Sequence, residues 1–372
     1  MLEKFFTSVS NDILQYGLFV QVLALMLSLY FVPAIRKLAL ARNVTDAPSA
    51  RKSHKTKVPL LGGVAVYFSA TFAMLVVIYM FPSKIELANF FLLGACSMVL
   101  LFVGVLDDIV GLAPLHKLIL QLIISILLIH NASLYIENIQ GLFGFTEISY
   151  IPSLLISVFV YVVFINMLNL IDGIDGLASG LSLIAYLFFS YVAYIDGNFF
   201  NMLLSMAGVG CLIPFMYHNM FSVKKIFLGD NGSLVMGLIL GFLTLYSITT
   251  TTISDQSLFG GNKIVVLMAV FSYPLVDTLR IFTVRIFRKR NPFSADKNHI
   301  HHHLLRLGLS HRKATLVVVL YTFFITSISF IVTGLDINTS FIMLFLVAAF
   351  FVCLPSFLIK NENGTISFRK KS

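Results

Sequence analysis

The sequence predicts an all-α polytopic membrane protein, with about eleven transmembrane helices in one integral-membrane domain over residues 1–372. Apolar residues make up 58% of the chain and the mean hydropathy is +0.92. Charged residues make up only 12%, against roughly 25% in a soluble domain. Intrinsic disorder needs the opposite composition. A secreted disulfide scaffold is also excluded, because the three cysteines are an odd number and each lies inside an apolar run.

Eleven apolar runs approach or reach the length needed to cross a bilayer, which takes about 20 mostly apolar residues. They are apolar on all sides and lack the alternation of barrel strands, so we expect helices. The first run is no cleavable signal peptide, because it is long and has no small-residue cleavage site. The fourth is the shortest and carries Lys117 and Gln121. The predicted spans are residues 13–34, 58–81, 87–106, 115–131, 152–169, 178–195, 199–217, 233–253, 264–286, 315–334 and 339–359.

The positive charges predict how the helices are oriented. If the N-terminus is outside and the C-terminus is cytoplasmic, then only Lys4, Lys84 and Lys263 of the 26 lysines and arginines fall outside. This bias is typical of a multi-pass protein of the cytoplasmic (inner) membrane. The net charge of +9 therefore orients the chain in the lipid bilayer, and no nucleic-acid partner is expected. The predicted cytoplasmic segments are 35–57, 107–114, 170–177, 218–232 and 287–314, with the tail from 360.

Pairs of carboxylates lie in these cytoplasmic segments, at the membrane edge, where ionisable groups are functional candidates because they are costly to bury. Asp107 and Asp108 are adjacent, and like charges this close resist joint ionisation unless a cation intervenes. A solvated helix end is the alternative interpretation of this pair. Asp172 and Asp175 are three residues apart, so they share a face if this stretch is helical. The glycines beside them would let a phosphate approach the backbone.

Other polar and aromatic candidates flank these carboxylates. Asn169 offers a neutral oxygen to a hard cation such as Mg²⁺. Asp230 lies between glycines just before an apolar run, where the N–H groups of a helix start can face an anion. Phe227 precedes it by three residues and is placed to stack on a base, although a packing role is simpler for any one of the 36 phenylalanines.

A histidine cluster, His299-Ile-His-His-His303, lies in a segment rich in lysine and arginine. Such a segment suits phosphate anions, and an ordinary positive-inside loop is the alternative for its individual cations. Zinc is disfavoured, since the usual cysteine or spaced-histidine partners are missing. Carboxylates, an amide, lysines and histidines on one membrane face together indicate Mg²⁺-dependent phosphoryl transfer to or from a lipid.

Five motifs in this order resemble those of the polyprenyl-phosphate N-acetylhexosamine-1-phosphate transferase family, over residues from about 46 to 310. Each motif alone is weak, but five in order on one predicted face are highly specific. They are DAPSARKSHKTKVPLLGG (46–63), LDD (106–108), NLIDGIDGLASG (169–180), IFLGDNGS (226–233) and PFSADKNHIHHHL (292–304).

The resemblance implies an enzyme that transfers a sugar 1-phosphate, N-acetylglucosamine 1-phosphate by default, from a UDP-sugar to undecaprenyl phosphate. UMP would be released, and the product would initiate a lipid-linked cell-surface polysaccharide such as an O-antigen. The cofactor would be Mg²⁺, with Mn²⁺ as an alternative, and a homodimer is left open. By this resemblance, Asp107 and Asp108 would act as a base or position the lipid phosphate, and Asn169 and Asp230 would bind the metal. The nucleotide would be bound by Lys57, Asp172, Asp175, Phe227 and Asn219. The phosphates or the sugar would be bound by Lys117, His299, His301 and His302.

The chain departs from the family pattern at two places. The lead-in to the fourth motif, NMFSVKKIF, lacks the usual proline, and His303 stands where an arginine is common. Two other classes of membrane protein fit the sequence less well. An ion-coupled transporter would place its acidic residues near the bilayer midplane and show internal repeats. A CDP-alcohol phosphotransferase would need an Ala-Arg pair after Asp-Gly, whereas Leu-Ala-Ser follows Asp175-Gly176 here.

Overall fold

The protein is an all-α membrane protein, as the sequence predicts. The computed structural model describes residues 9–46, 57–81, 87–250, 259, 262–289, 298–360 and 366–368. In these ranges ten helices are long and apolar enough to cross a membrane, and one bent pair of helices brings the number to eleven. Each of the eleven predicted runs has its counterpart.

Some helices extend beyond the predicted spans; the first, for example, reaches Ala41 rather than residue 34. Others are shorter than predicted. The helix expected from residue 58 begins at Gly62, because Val58–Pro59 form a strand, and the helix expected to reach residue 359 ends at Cys353. The helices are α1 Val9–Ala41, α2 Gly62–Met80, α3 Leu87–Val110, α4 Pro114–Asn131, α5 Tyr150–Ile171, α6 Leu177–Asp196, α7 Phe199–Met216, α8 Asp230–Thr250, α9 Lys263–Val270, α10 Ser272–Phe287, α11 Ile300–Arg306, α12 His311–Val332 and α13 Ile337–Cys353. Two short antiparallel pairs accompany them, β1 Thr45–Asp46 with β2 Val58–Pro59 and β3 Leu358–Lys360 with β4 Ile366–Phe368.

The chain divides into two compact units, and the division falls inside α5 and α6. Unit 1 comprises Met1–Glu137, Ile148–Asn169 and Ser182–Ser254. Within it α1 packs against α2 and α7, and α8 packs against α2 and α3. The Ser28 hydroxyl donates to the carbonyl of Cys211 at 2.8 Å, which gives the apolar contact between α1 and α7 a fixed register.

Unit 2 comprises Asn138–Glu147, Leu170–Leu181 and Asp255–Ser372. Within it α12 packs against α9, α11 and α13. The bent pair is α9 and α10, whose axes differ by 78°. Pro274 accounts for the break, because a proline has no N–H for the carbonyl four residues earlier, and that residue is Val270, where α9 ends.

Parts of the sequence predictions lie outside the described residues. These are residues 47–56 of the first motif and residues 290–297, which include most of PFSADKN. Lys4 and Lys84 lie outside them as well.

Candidate active site

A lysine joins two of the predicted aspartates in unit 1. The ammonium Nζ of Lys117 lies 2.7 Å from Oδ2 of Asp107 and 3.0 Å from Oδ2 of Asp230. Lys117 is on the first turn of α4, Asp107 is near the end of α3, and Asp230 begins α8. The other oxygen of Asp107 accepts the backbone N–H of Leu112 at 2.6 Å. Asp107 and Lys117, which are 10 positions apart, therefore form one compact charged cluster with the distant Asp230.

Asp108 has a different position from its neighbour, because its carboxylate covers the start of α8. Oδ1 accepts the N–H of Asp230 at 3.1 Å, and Oδ2 accepts the N–H of Asn231 at 3.3 Å and its side-chain Nδ2 at 2.6 Å. The first N–H groups of a helix have no partner within the helix, and a carboxylate both satisfies them and complements the helix dipole. Asp108 is thus a cap supplied from another helix, and it fixes the backbone that carries Asp230.

Close backbone contacts hold α2, α3 and α8 together around this cap. A Cβ added at Gly63 would lie 2.1 Å from Cα of Gly232, and one at Gly104 would lie 2.4 Å from Cα of Asn231. Asn231 also donates to the carbonyl of Leu60 at 3.0 Å. Gly229, at the turn before α8, has a φ of +76° that L side chains rarely adopt. Only glycine therefore fits at these contacts without moving a helix.

Asn169 lies next to the same cluster, on α5. Its Nδ2 donates to Oγ of Ser233 at 3.0 Å, and its side chain also bonds to Asp230. Among the residues described, no group of three or more His, Cys, Asp or Glu side chains could hold a metal ion. The donor set nevertheless suits Mg²⁺, which takes oxygen ligands and commonly only one or two carboxylates from the protein. Asp107, Asn169 and Asp230 supply such oxygens.

The loop before α8 carries Phe227, whose side chain is half-buried. Its backbone is fixed on both sides: the N–H of Phe227 donates to the carbonyl of Pro59 at 2.8 Å, and the carbonyl accepts the N–H of Gly62 at 2.9 Å. Asn219 is buried and donates from Nδ2 to the carbonyl of Ile226 at 2.9 Å, so it shapes this loop from within. Lys57, just before β2, is exposed.

In unit 2, a buried aspartate that the sequence analysis did not single out organises the histidine motif. Asp277, on α10, has no exposed surface. Its Oδ2 lies 2.9 Å from Nδ1 of His299, and its Oδ1 accepts from Arg280 at 2.8 Å and 3.1 Å. Both oxygens lie 3.3 Å from the N–H of Ile300, the first residue of α11. Arg280 also donates to the carbonyl of Asn298.

His301 is buried beside Tyr273 of α10. The Tyr273 hydroxyl lies 3.2 Å from Nδ1 of His301 and also accepts the backbone N–H of His301 at 3.2 Å. Nε2 of His301 is buried without a hydrogen-bond partner in the described part of the chain. A Cβ added at Gly173 would lie 2.5 Å from it. The His302 ring is next to this ring, with centroids 4.3 Å apart.

Two of these histidines are neutral near pH 7. Burial, reinforced by the neighbouring rings of His302 and His299, holds the pKa of His301 well below its usual value. Burial together with the cations of Arg306 and Arg280 lowers the pKa of His303 to about 4. These rings therefore offer one N–H donor and one acceptor each rather than a positive charge.

The aspartates of the third motif lie in the turn between α5 and α6. Asp175 is buried, with Oδ2 3.5 Å from Nδ1 of His311, and its backbone carbonyl accepts from the Thr315 hydroxyl at 2.8 Å. Asp172 is half-buried. His311 was passed over in the sequence because it stands alone there, although it begins α12.

The comparisons with known proteins agree with these motifs. The profile of glycosyl transferase family 4 matches residues 90–248. An undecaprenyl-phosphate alpha-N-acetylglucosaminyl 1-phosphate transferase of Escherichia coli strain K12 is 29% identical over 98% of this chain and 94% of its own length. The protein of the same name from Yersinia pestis is 28% identical over 93% of this chain and 92% of its own length. A probable undecaprenyl-phosphate N-acetylglucosaminyl 1-phosphate transferase of Bacillus subtilis strain 168 is 28% identical over 88% of both chains.

Proposed function

Because the chain belongs to glycosyl transferase family 4, we propose that it transfers a sugar 1-phosphate from a UDP-sugar to undecaprenyl phosphate and releases UMP. N-acetylglucosamine 1-phosphate is the default group, in line with the names of the relatives. The observation that carries the proposal is the cluster of Asp107, Lys117 and Asp230 at the start of α8. It combines a cation with carboxylates at the edge of membrane-spanning helices, where a lipid phosphate and a nucleotide sugar can meet.

In the proposed reaction, an oxygen of the lipid phosphate attacks the β-phosphorus of the UDP-sugar. A new P–O bond forms, and the bond to the oxygen that bridges the two phosphates breaks, so UMP leaves with that oxygen. A phosphomonoester carries about −1.5 to −2 charge near pH 7, so the attacking oxygen needs little activation by a base. Charge neutralisation and positioning are then the main requirements. Lys117 is suited to positioning, because its ammonium is held by two carboxylates.

Asp108 would be a positioning residue. It accepts the first N–H groups of α8 and so holds the backbone that carries Asp230. Asp230 and Asn169 would hold Mg²⁺, with Mn²⁺ as an alternative. When bound, the ion would neutralise charge on the pyrophosphate and favour departure of UMP.

The remaining site residues would bind the donor substrate. Phe227 would stack on the uracil, while Lys57 and Asn219 would contact the nucleotide, as would Asp172 and Asp175. His299, His301 and His302 would contact the phosphates or the sugar, and the neutral ring of His301 suits hydrogen bonding to sugar hydroxyls or phosphate oxygens. The reaction would take place on the cytoplasmic face of the inner membrane, where the positive-inside bias puts all these segments.

The proposal is tested with purified protein in detergent, a panel of UDP-sugars and undecaprenyl phosphate, with release of UMP as the readout. We expect release only when lipid phosphate and a divalent cation are both present. Asp230→Asn should nearly abolish it. Asp336→Asn is the matched control, since Asp336 is also an aspartate at a helix start, and its side chain caps its own helix by accepting from Asn338 and Thr339. UMP release without the lipid, or near-normal activity of Asp230→Asn, would contradict the proposal.

A further inference from the structure

Helix α10 contacts two histidines of the motif through side chains that share one of its faces. Tyr273 and Asp277 are four residues apart, which places them on the same side of a helix. Each lies against the Nδ1 atom of a different ring, Tyr273 against His301 at 3.2 Å and Asp277 against His299 at 2.9 Å. The two rings are stacked, with centroids 5.4 Å apart and planes 11° apart. All four residues are buried.

The partner of His299 settles where that ring carries its proton. An ionised carboxylate only accepts hydrogen bonds, so His299 must donate from Nδ1–H to Asp277. Asp277 is itself held by Arg280 and by the N–H of Ile300, so its carboxylate has a fixed orientation.

Tyr273, the partner of His301, keeps the proton of that ring off Nδ1. The Tyr273 oxygen already accepts the backbone N–H of His301. Its own hydroxyl proton is buried and needs an acceptor, since buried donors are nearly always satisfied, and Nδ1 of His301 is the acceptor within reach. Because burial holds the pKa of His301 well below its usual value, the ring carries a single proton near pH 7. That proton is then on Nε2.

We propose that Tyr273 and Asp277 are positioning residues: Tyr273 fixes His301 as the tautomer protonated on Nε2, and Asp277 fixes the orientation of His299 through its Nδ1–H. His301 is then a hydrogen-bond donor through Nε2–H. The Nε2 of His301 faces the turn at Gly173, where a side chain would collide with it, and it has no partner in the part of the chain that the structure describes. An oxygen of the donor substrate that enters beside Gly173 would satisfy it. This assignment of roles to substrate groups rests on the proposed function, whereas the tautomers do not.

The tautomers are measured directly by nitrogen NMR of the full chain in detergent, with ¹⁵N-labelled histidine, near pH 7.5. A His301→Gln variant identifies the signals of His301 among those of the nine histidines. We expect protonated Nε2 and bare Nδ1 for His301, and a protonated Nδ1 for His299. Tyr273→Phe should change the tautomer of His301 and leave His299 as it is. Tyr321→Phe is the control, because it removes the hydroxyl of a neighbouring ring that bonds to Ala348 instead. A proton on Nδ1 of His301, or no change in Tyr273→Phe, would overturn the proposal.

Kinetics of UMP release connect the tautomer to turnover. Tyr273→Phe should lower kcat by about tenfold, as loss of a group that orients a functional histidine does, with little change in KM for the UDP-sugar. In the His301→Gln background the same substitution should have no further effect. Equal losses in both backgrounds would mean that Tyr273 acts only on the packing. If the wild-type protein turns over no UDP-sugar while the NMR result holds, then the proposed function fails and the tautomer assignment stands.

Discussion

Replacing Lys117 by methionine should destabilise the protein and make its stability depend on divalent cations. The ammonium of Lys117 contacts two carboxylates, those of Asp107 and Asp230, at 2.7 Å and 3.0 Å. Each contact corresponds to about 6 kcal/mol of attraction at an effective dielectric constant of about 20, most of which offsets desolvation. Removing one partner of a buried ion pair costs about 3–5 kcal/mol. The three side chains keep between 14% and 27% of their exposure, so we expect the lower end of that range.

The loss of stability in Lys117→Met can be measured through the buried cysteines of the chain. The chain has no tryptophan, but Cys96 and Cys211 are buried. A dye that becomes fluorescent on reacting with thiols therefore reports thermal unfolding. Lys117→Met should unfold at a lower temperature in EDTA, and Mg²⁺ should raise that temperature more than it does for the wild type. Lys224→Met is the control, because Lys224 is an exposed lysine outside the cluster.

A double variant tests the electrostatic cause. If the loss comes from two unneutralised carboxylates, then Asp107→Asn in the Lys117→Met background removes one of the charges and should restore part of the stability. A double variant that is less stable than Lys117→Met, or a Lys117→Met protein as stable as Lys224→Met, would refute the reasoning.

Three further predictions concern the cap, the helix contact and the histidines. Asp108→Ala should lower the free energy of unfolding by about 2 kcal/mol, the upper range for loss of a helix cap, and should also abolish UMP release, whereas a stable and active variant would exclude the capping role. Gly63→Ala should lower the unfolding temperature measured with the thiol dye, since its Cβ would meet the backbone of α8. Gly94→Ala should be neutral or slightly stabilising, because a Cβ there would meet no other part of the described structure within 4 Å. Acidification should also destabilise the fold: the unfolded chain binds a proton at His303 near pH 6.5 and the folded chain only at about 4, so stability is full above pH 6.5 and falls as the pH drops to about 4. Thermal melts followed by circular dichroism should show a shallower decline in His303→Asn, and an unchanged decline would rule out this histidine as a main cause.

The spans were predictable because membrane insertion depends on length and hydropathy, which the sequence displays directly. The break between α9 and α10 was not, since residues 264–286 form one continuous apolar run. Pro274 is the only local signal for it, and prolines are tolerated inside other membrane helices: Pro33 lies within α1 and Pro214 within α7.

The candidate site was predictable as a set of residues but not as a set of contacts. Asp107, Lys117 and Asp230 were each singled out, yet no sequence pattern reports that Lys117 and Asp230, 113 positions apart, form an ion pair. Asp277 was overlooked because it lies inside a predicted span. Its signal was present, since an aspartate and Arg280 three residues later in an apolar helix are expected to pair, and an ionisable group at that depth is a functional candidate.

The backbone bonds that fix Phe227 bear on how tightly a ligand could bind there. A loop that becomes ordered only when its ligand arrives loses conformational entropy at that moment, which weakens binding. Here the hydrogen bonds to Pro59 and Gly62 immobilise the loop during folding. A base that stacks on the Phe227 ring would therefore lose little binding free energy to ordering of the loop. These bonds therefore restrict the loop much as the proline that NMFSVKKIF lacks would have done.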